Sequence, residues 1–203
     1  HVVQEDKLEI ISSCVSEEEF FIAPHKSFNF LNKEKIKIGY VAALTKEKDH
    51  LTFIKTAEKV LKNRRDVEFY IIGDGKLKES IIVQIKEKNL ENKIKVVGFI
   101  KNIKSLIPNI DLLLFTSKSE GLGSTILDFF ISKKPVVATD SYGVRDIILN
   151  NKTGVLCNIG DYECLSGGIL KILNDNEYKQ QIVDQAYKHV KEKYSRKVMG
   201  KKY

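Results

Sequence analysis

The chain has 203 residues, between one and two domains at ~150 residues each, enough for a full α/β core without a disulfide or metal staple. Lys and Arg number 34 against 27 Asp and Glu, a net charge of +7, and 30 of the 34 cations are Lys. An Arg-poor basic surface is a weak case for base-specific nucleic-acid reading, which favours the guanidinium fork, and a diffuse positive field suits anionic small molecules or an anionic membrane surface equally well. Hydrophobic residues at 42% and charged residues at 30% are ordinary for a globular protein. The longest apolar runs, such as Ile110–Phe115 with Asp111 inside it, are interrupted by charge and fall far short of the ~20 residues of a membrane span, and no signal-peptide pattern is present. Cys14, Cys157 and Cys164 are odd in number and form no Cys-x-x-Cys. They fit a reducing compartment and exclude a disulfide framework. The opening at His1 with a polar stretch reads as a piece of a longer protein.

Residues 1–34 mix polar and apolar positions without a period and predict an incoming linker with a short strand near Leu8–Ile11. From there the pattern is regular. Ile36–Ala42 predicts a buried strand. Asp49 is placed to cap a helix carrying Leu51, Phe53, Ile54, Ala57, Val60 and Leu61 on one face. Val67–Ile72 is a strand stopped by Gly73-Asp74-Gly75, and Leu77, Ile81, Ile82 and Ile85 fall at helical spacing. Ile94–Val97 is a strand ending at Gly98, and Asn102 is placed to cap a short helix ending near Pro108. Ile110–Phe115 is a strand, followed by a polar loop and a helix from about Gly123 to Ser132. Pro135–Ala138 is a strand, Val144–Leu149 a short helix, Asn151–Gly154 a turn and Val155–Cys157 the last strand. Two helices, about Tyr162–Leu173 and Glu177–Tyr194, close the chain. The strands are nearly all apolar, which means that both faces are covered. Alternation with helices then predicts a parallel α/β sheet with helices on both sides, whose ligands bind beyond the carboxyl ends of the strands.

The loops at those ends carry the candidate chemistry. Thr116 to Thr125 places Gly121 and Gly123 before a helix, where free N–H groups and the helix dipole favour an anion. Ser124 and Thr125 add hydroxyls; the same residues also serve as an ordinary cap and turn. Glu120 and Asp128 stand eight positions apart, one on each side of such an anion. That matches a ligand with hydroxyls on both flanks, a sugar and a ribose, although Asp128 alone reads as a solvated helical position. Lys48 precedes the Asp49 cap at a strand's carboxyl end, where an ammonium neutralises a diphosphate; by itself it is one surface lysine among 30. Gly-x-Gly-x-x-Gly after the first strand, a P-loop, a nucleophile elbow and metal-ligand spacing are all missing. A two-carboxylate glycosidase finds no polymer cleft in the rest of the pattern.

The series Val41–Lys48, Tyr70–Gly75, Val96–Ile100, Asp111–Ser117, Glu120–Gly123, Lys134–Asp140 and Asn151–Gly154 resembles the carboxyl-terminal domain of the retaining GT-B glycosyltransferases of family 4, the glycosyl transferases group 1. The resemblance runs from about Ile36 to Tyr194 and implies a Rossmann-like domain for a nucleotide-diphosphate-sugar donor. Its Glu-x7-Glu signature matches Glu120, which it implies at the donor sugar, and Asp128, one methylene shorter, at the ribose. Backbone amides of Gly121, Leu122, Gly123, Ser124 and Thr125 are implied at the diphosphate, with Lys48. The family's usual Arg place is Ala43, with Lys118 and Lys46 nearby in sequence. Phe99 and Ile100 hold the place of the base-contacting loop. The resemblance further implies residues 1–34 as the exit segment of an acceptor-binding amino-terminal domain, 35–174 as the donor domain and 175–203 as a segment crossing back. It implies no metal or resident cofactor, no transfer by this piece alone, polysaccharide or glycolipid synthesis, and a cytoplasmic place with peripheral membrane association. Two further readings stay open: a nucleotide-sugar epimerase on the same plan, and a non-catalytic module with a degenerate donor site.

Overall fold

The computed structural model describes residues 28–121 and 123–195. Six strands are β1 (Ile36–Val41), β2 (Val67–Ile72), β3 (Ile94–Gly98), β4 (Leu112–Phe115), β5 (Val136–Thr139) and β6 (Val155–Cys157). They form one sheet in the order β3-β2-β1-β4-β5-β6, with every pairing parallel. Five helices accompany them: α1 (His50–Asn63), α2 (Lys78–Glu87), α3 (Ser124–Ile131), α4 (Tyr162–Asn174) and α5 (Asn176–Lys193).

Alternate strand residues feed two cores, one on each face of the sheet. Ile38, Tyr40, Phe69, Ile71, Leu112 and Leu114 meet α1, α2 and α4 through Phe53, Ile54, Ile81, Leu165 and Ile169. Tyr70, Leu113, Phe115, Val136 and Ala138 meet α3 and α5 through Ile126, Leu127, Ala186 and Val190. Every residue of β2, β4 and β5 is buried, which is why those strands are apolar but for two bonded polar groups: Glu68 Oε2 accepts from Tyr70 OH at 2.7 Å and Thr139 Oγ1 donates to Ser117 O at 2.6 Å. The strand order reverses between β1 and β4, and the crevice at that switch point lies over their carboxyl ends.

Several expectations need correction. The segment after Asn102 is not a capped helix but two 3₁₀ turns, Ile103–Ser105 and Ile107–Asn109, and the Asn102 side chain makes no capping bond. Val144–Leu149 forms successive turns, with Val144 and Arg145 N–H donating to Ser141 O and Ile147 and Ile148 N–H to Val144 O. So few residues do not repay helix nucleation. Leu51 is 47% exposed, outside the buried face of α1. The expectation of free thiols fails at one pair: Cys157, at the end of β6, is disulfide-bonded to Cys164 in the first turn of α4. A tight strand-to-helix connection brings the two within 5.7 Å between Cα atoms, inside the range that a disulfide spans. Cys14 and the strand expected at Leu8–Ile11 lie outside the described residues. Among the described residues no helix is long and apolar enough to cross a membrane.

Candidate active site

The loop after β1 is seated on the loop after β2. Ala42 N–H donates to Ile72 O at 3.1 Å, Leu44 N–H to Asp74 O at 2.9 Å and Leu77 N–H to Leu44 O at 3.1 Å. The two backbones are so close that a Cβ on Gly73 would lie 1.9 Å from Ala42 O, and one on Gly75 2.7 Å from Leu44 O. Glycine at both positions is therefore what allows the two loops to pack as one rim.

From that rim, Lys46–Lys48 makes a single 3₁₀ turn and Asp49 turns left-handed at φ 49°. Asp49 then caps α1: its Oδ2 accepts from Thr52 Oγ1 at 2.8 Å and its Oδ1 from Thr52 N–H at 3.4 Å. The backbone is clamped from below, because Lys48 O accepts from Tyr40 OH at 2.5 Å and from Thr116 Oγ1 at 3.0 Å. So held, Lys48 Nζ pairs with Glu120 Oε1 across the crevice. The pair is mostly sheltered, with side-chain exposures of 19% for Lys48 and 13% for Glu120. Ser117 Oγ also donates to Glu120 Oε1, at 2.6 Å, and Ser117 O in turn accepts from Thr139 Oγ1 at 2.6 Å. Strands β1, β4 and β5 thus jointly fix one ammonium and one carboxylate over the switch point.

Beside this pair α3 begins. Its N-cap is Gly123, at φ 63°, and no side chain caps the helix, so the first-turn N–H groups face the crevice without a side-chain acceptor. Two adjoining cavities open here. One, of about 450 Å³, is lined by Lys48, Phe115, Glu120, Gly123, Ser124 and Thr125 among others. The other, of about 500 Å³, runs over the ends of β2 and β3 past Ile72, Asp74, Phe99, Ile100 and Lys101. They share Val41, Ala42, Ala43 and Thr125 and make one elongated cleft. Its first arm is polar, its second mainly apolar with the exposed Phe99 ring at its edge.

The expected residues are thus brought together with exceptions. Lys48, Glu120, Gly123, Ser124, Thr125, Phe99 and Ile100 line the cleft. Gly121 is exposed beside it, and Leu122 lies outside the described residues. Asp128 is half-buried one turn beyond Ser124 and lines neither arm. Ala43 lines both arms. Of the nearby cations, Lys118 is engaged with Asp49 at 3.5 Å and Lys46 lines neither arm.

Four contributors escape a motif search. Tyr40 is buried in a strand pattern that reads as plain core, and Thr116, at the start of the loop after β4, is buried although its loop position gives no sign that its hydroxyl clamps the Lys48 backbone. Lys101 sits in a stretch without a motif. Gly143, at φ +80°, lies under the Glu120 loop, where a Cβ would come 2.6 Å from Gly121 O and 2.8 Å from Glu120 O. Only the run Ser141-Tyr142-Gly143 at a strand end signals it. His50, behind Lys48, packs its ring edgewise on Tyr40 at 5.4 Å. Burial pushes its imidazole down to about 4, so it is neutral near pH 7. Among the described residues no three metal-ligating side chains cluster.

A parallel sheet in the order 3-2-1-4-5-6, with its cleft at the reversal, defines a Rossmann-like α/β domain. Residues 22–189 match the family model of the glycosyl transferases group 1, and the chain belongs to that family. It is 31% identical over 176 residues to the poly(ribitol-phosphate) alpha-N-acetylglucosaminyltransferase of Staphylococcus aureus (strain COL), covering 86% of this chain and 36% of that protein. Among solved structures it superposes with a TM-score of 0.78 and 28% identity on a mutant of S. aureus TarM in complex with Fondaparinux, alpha-GlcNAc-glycerol and UDP, covering 88% of this chain and 36% of that one. A glycosyltransferase from Rickettsia africae ESF-5 superposes with a TM-score of 0.82 at 25% identity, covering 98% of this chain and 56% of that one. The chain thus spans about a third to a half of the length of these relatives.

Proposed function

We propose that the chain is the donor-binding part of a glycosyltransferase that moves a sugar from a nucleotide-diphosphate-sugar to an acceptor with retention. The observation that carries this reading is the sheltered Lys48–Glu120 pair beside the uncapped start of α3. Lys48 and the N–H groups of Ser124 and Thr125 take the diphosphate, and their positive charge stabilises it as it departs in the transition state. Glu120 accepts from the sugar's hydroxyls, its charge balanced by Lys48 and its orientation fixed by Ser117. The apolar arm past Phe99 and Ile100 receives the nucleoside. Asp128, on the same helix face as Ser124, reaches the ribose through water. No metal has a part in this reading, since Lys48 and the helix start supply the counter-charge.

The acceptor is held by a further domain outside this chain. Residues 1–34 connect to that domain, 35–174 form the donor unit and 175–203 return toward the other domain. The chain alone then binds donor and transfers nothing. A net charge of +7 suits an anionic or membrane-borne acceptor. The UDP held in the similar TarM complex and the N-acetylglucosaminyl transfer of the similar poly(ribitol-phosphate) enzyme support this reading.

Amide NMR titration with nucleoside diphosphates tests it. Shifts are expected at Lys48, Gly121 and Gly123–Thr125, and Lys48→Met is expected to weaken binding at least about tenfold, as for a lost charged hydrogen bond. No shift at these amides at millimolar nucleotide would sink the proposal. Product analysis of the full-length protein with and without acceptor separates transfer from epimerisation.

A further inference from the structure

The lysines around the cleft are not equivalent. Lys48 is matched by Glu120, Lys78 by Asp74 at 3.0 Å, and Lys118 by Asp49 at 3.5 Å. Lys101 lines the apolar arm, is exposed, and has no hydrogen-bond or ion-pair partner among the described residues. Asp74 also lines that arm, but its oxygens are committed: Oδ1 accepts from Gly75 N–H at 2.8 Å and Oδ2 from Lys78 Nζ. A molecule entering the arm therefore meets one uncommitted charged donor, beside the Phe99 ring, which is 74% exposed.

Its position says which part of the ligand it meets. Lys101 follows β3, and β3 lies two strands from β1 in the sheet, about 10 Å at the usual strand spacing. A diphosphate held by Lys48 and the start of α3 sits over β1 and β4. The far end of the nucleotide, the base, is what extends past β2 to Lys101.

We propose that Lys101 is the residue that selects the nucleobase. Its ammonium donates to a ring carbonyl oxygen, O4 of uracil or O6 of guanine, while Phe99 and Ile100 meet the face of the base. Adenine carries an amino group at the corresponding edge, so two donors meet and the ammonium loses its acceptor. The class of donor substrate is then a sugar diphosphate of a keto-bearing nucleoside. This rests on the donor-binding reading above.

Calorimetric titration of the whole chain with UDP, GDP and ADP tests it, on the wild type, Lys101→Met and Lys48→Met. The methionine keeps the length of the lysine stem, and the position is exposed. In the wild type, UDP or GDP is expected to bind at least about tenfold more tightly than ADP, and the tighter of the two names the base. Lys101→Met is expected to erase most of that preference and leave ADP within about twofold. Equal weakening of all three nucleotides would reassign Lys101 to the diphosphate and overturn the proposal. So would an unchanged preference, or wild-type ADP binding as tight as UDP and GDP. If binding disappears in Lys48→Met while Lys101→Met keeps the preference, the donor site stands and the role of Lys101 falls. If no nucleotide binds the wild type, both readings fall together.

Discussion

At the scale of single residues, the site depends on side chains that never touch the cleft. Lys48 is aimed by its own carbonyl oxygen, which Tyr40 and Thr116 hold from beneath the sheet's carboxyl edge. Tyr40→Phe keeps the ring packed on Phe53, 4.8 Å between centroids, and removes one of the two donors. Urea denaturation is expected to show a loss of about 1 kcal/mol, the net worth of an ordinary hydrogen bond. Nucleotide binding is expected to weaken in parallel, and a variant as stable and as tight-binding as wild type would dismiss the clamp. His50 gives the residue scale its pH dependence. Its folded pKa of about 4 lies below the ordinary 6.5, so the unfolded chain takes up more protons between those values. The stability this group contributes is full above pH 6.5 and drains away as pH falls toward 4, by about 3 kcal/mol at most. Burial shifts His189 in the same direction. Thermal unfolding followed across that window should show the slope, and His50→Leu should flatten part of it.

At the scale of elements, one close backbone approach and one disulfide divide the labour. Gly143 supports the loop that carries Glu120, and alanine there meets both a left-handed φ and two carbonyl oxygens inside 3 Å. Gly143→Ala is expected to cost about 1–3 kcal/mol, the range for backbone strain of this kind, and to displace Glu120. Binding of a sugar-bearing donor should then suffer more than binding of the bare nucleoside diphosphate, a contrast that paired titrations read directly. The Cys157–Cys164 bond ties the edge strand β6 to the start of α4, away from the cleft. It closes a loop seven residues apart in sequence, for which chain entropy gives about 2–3 kcal/mol. Thermal unfolding with and without reductant is expected to differ by that much, while nucleotide affinity stays unchanged; a matching loss of affinity would connect the edge to the site.

At the scale of the whole molecule, the domain offers one cleft at the point where its strand order reverses, and the ligand proposed for it is anionic. A ligand bound only by the folded state stabilises it by mass action, about 2.7 kcal/mol at a hundredfold excess over Kd. Nucleoside diphosphate is therefore expected to raise the unfolding temperature. The rise should shrink as salt screens the contact between phosphate and lysine. A salt-independent rise would point to the apolar arm as the main source of affinity.

Much of this architecture is legible along the chain, because strands buried on both faces must be largely apolar and helices between them must repeat every three to four residues. Val67–Ile72 and Val155–Cys157 were readable to the residue for that reason, as was the Asp49 cap. The turns at 103–109 and 144–149 were not, since such short segments take their shape from what they pack on rather than from local period. The sequence by itself determined the alternating fold, the glycine-bearing loops and the family of motifs to which Glu120 and Lys48 belong. Only the tertiary structure decided that these two residues pair, that Tyr40, Thr116 and Gly143 hold them in place, and that Asp128 stands outside the cleft lining. Contacts across strands depend on sheet order and register, and neither is written in the spacing of residues along one chain.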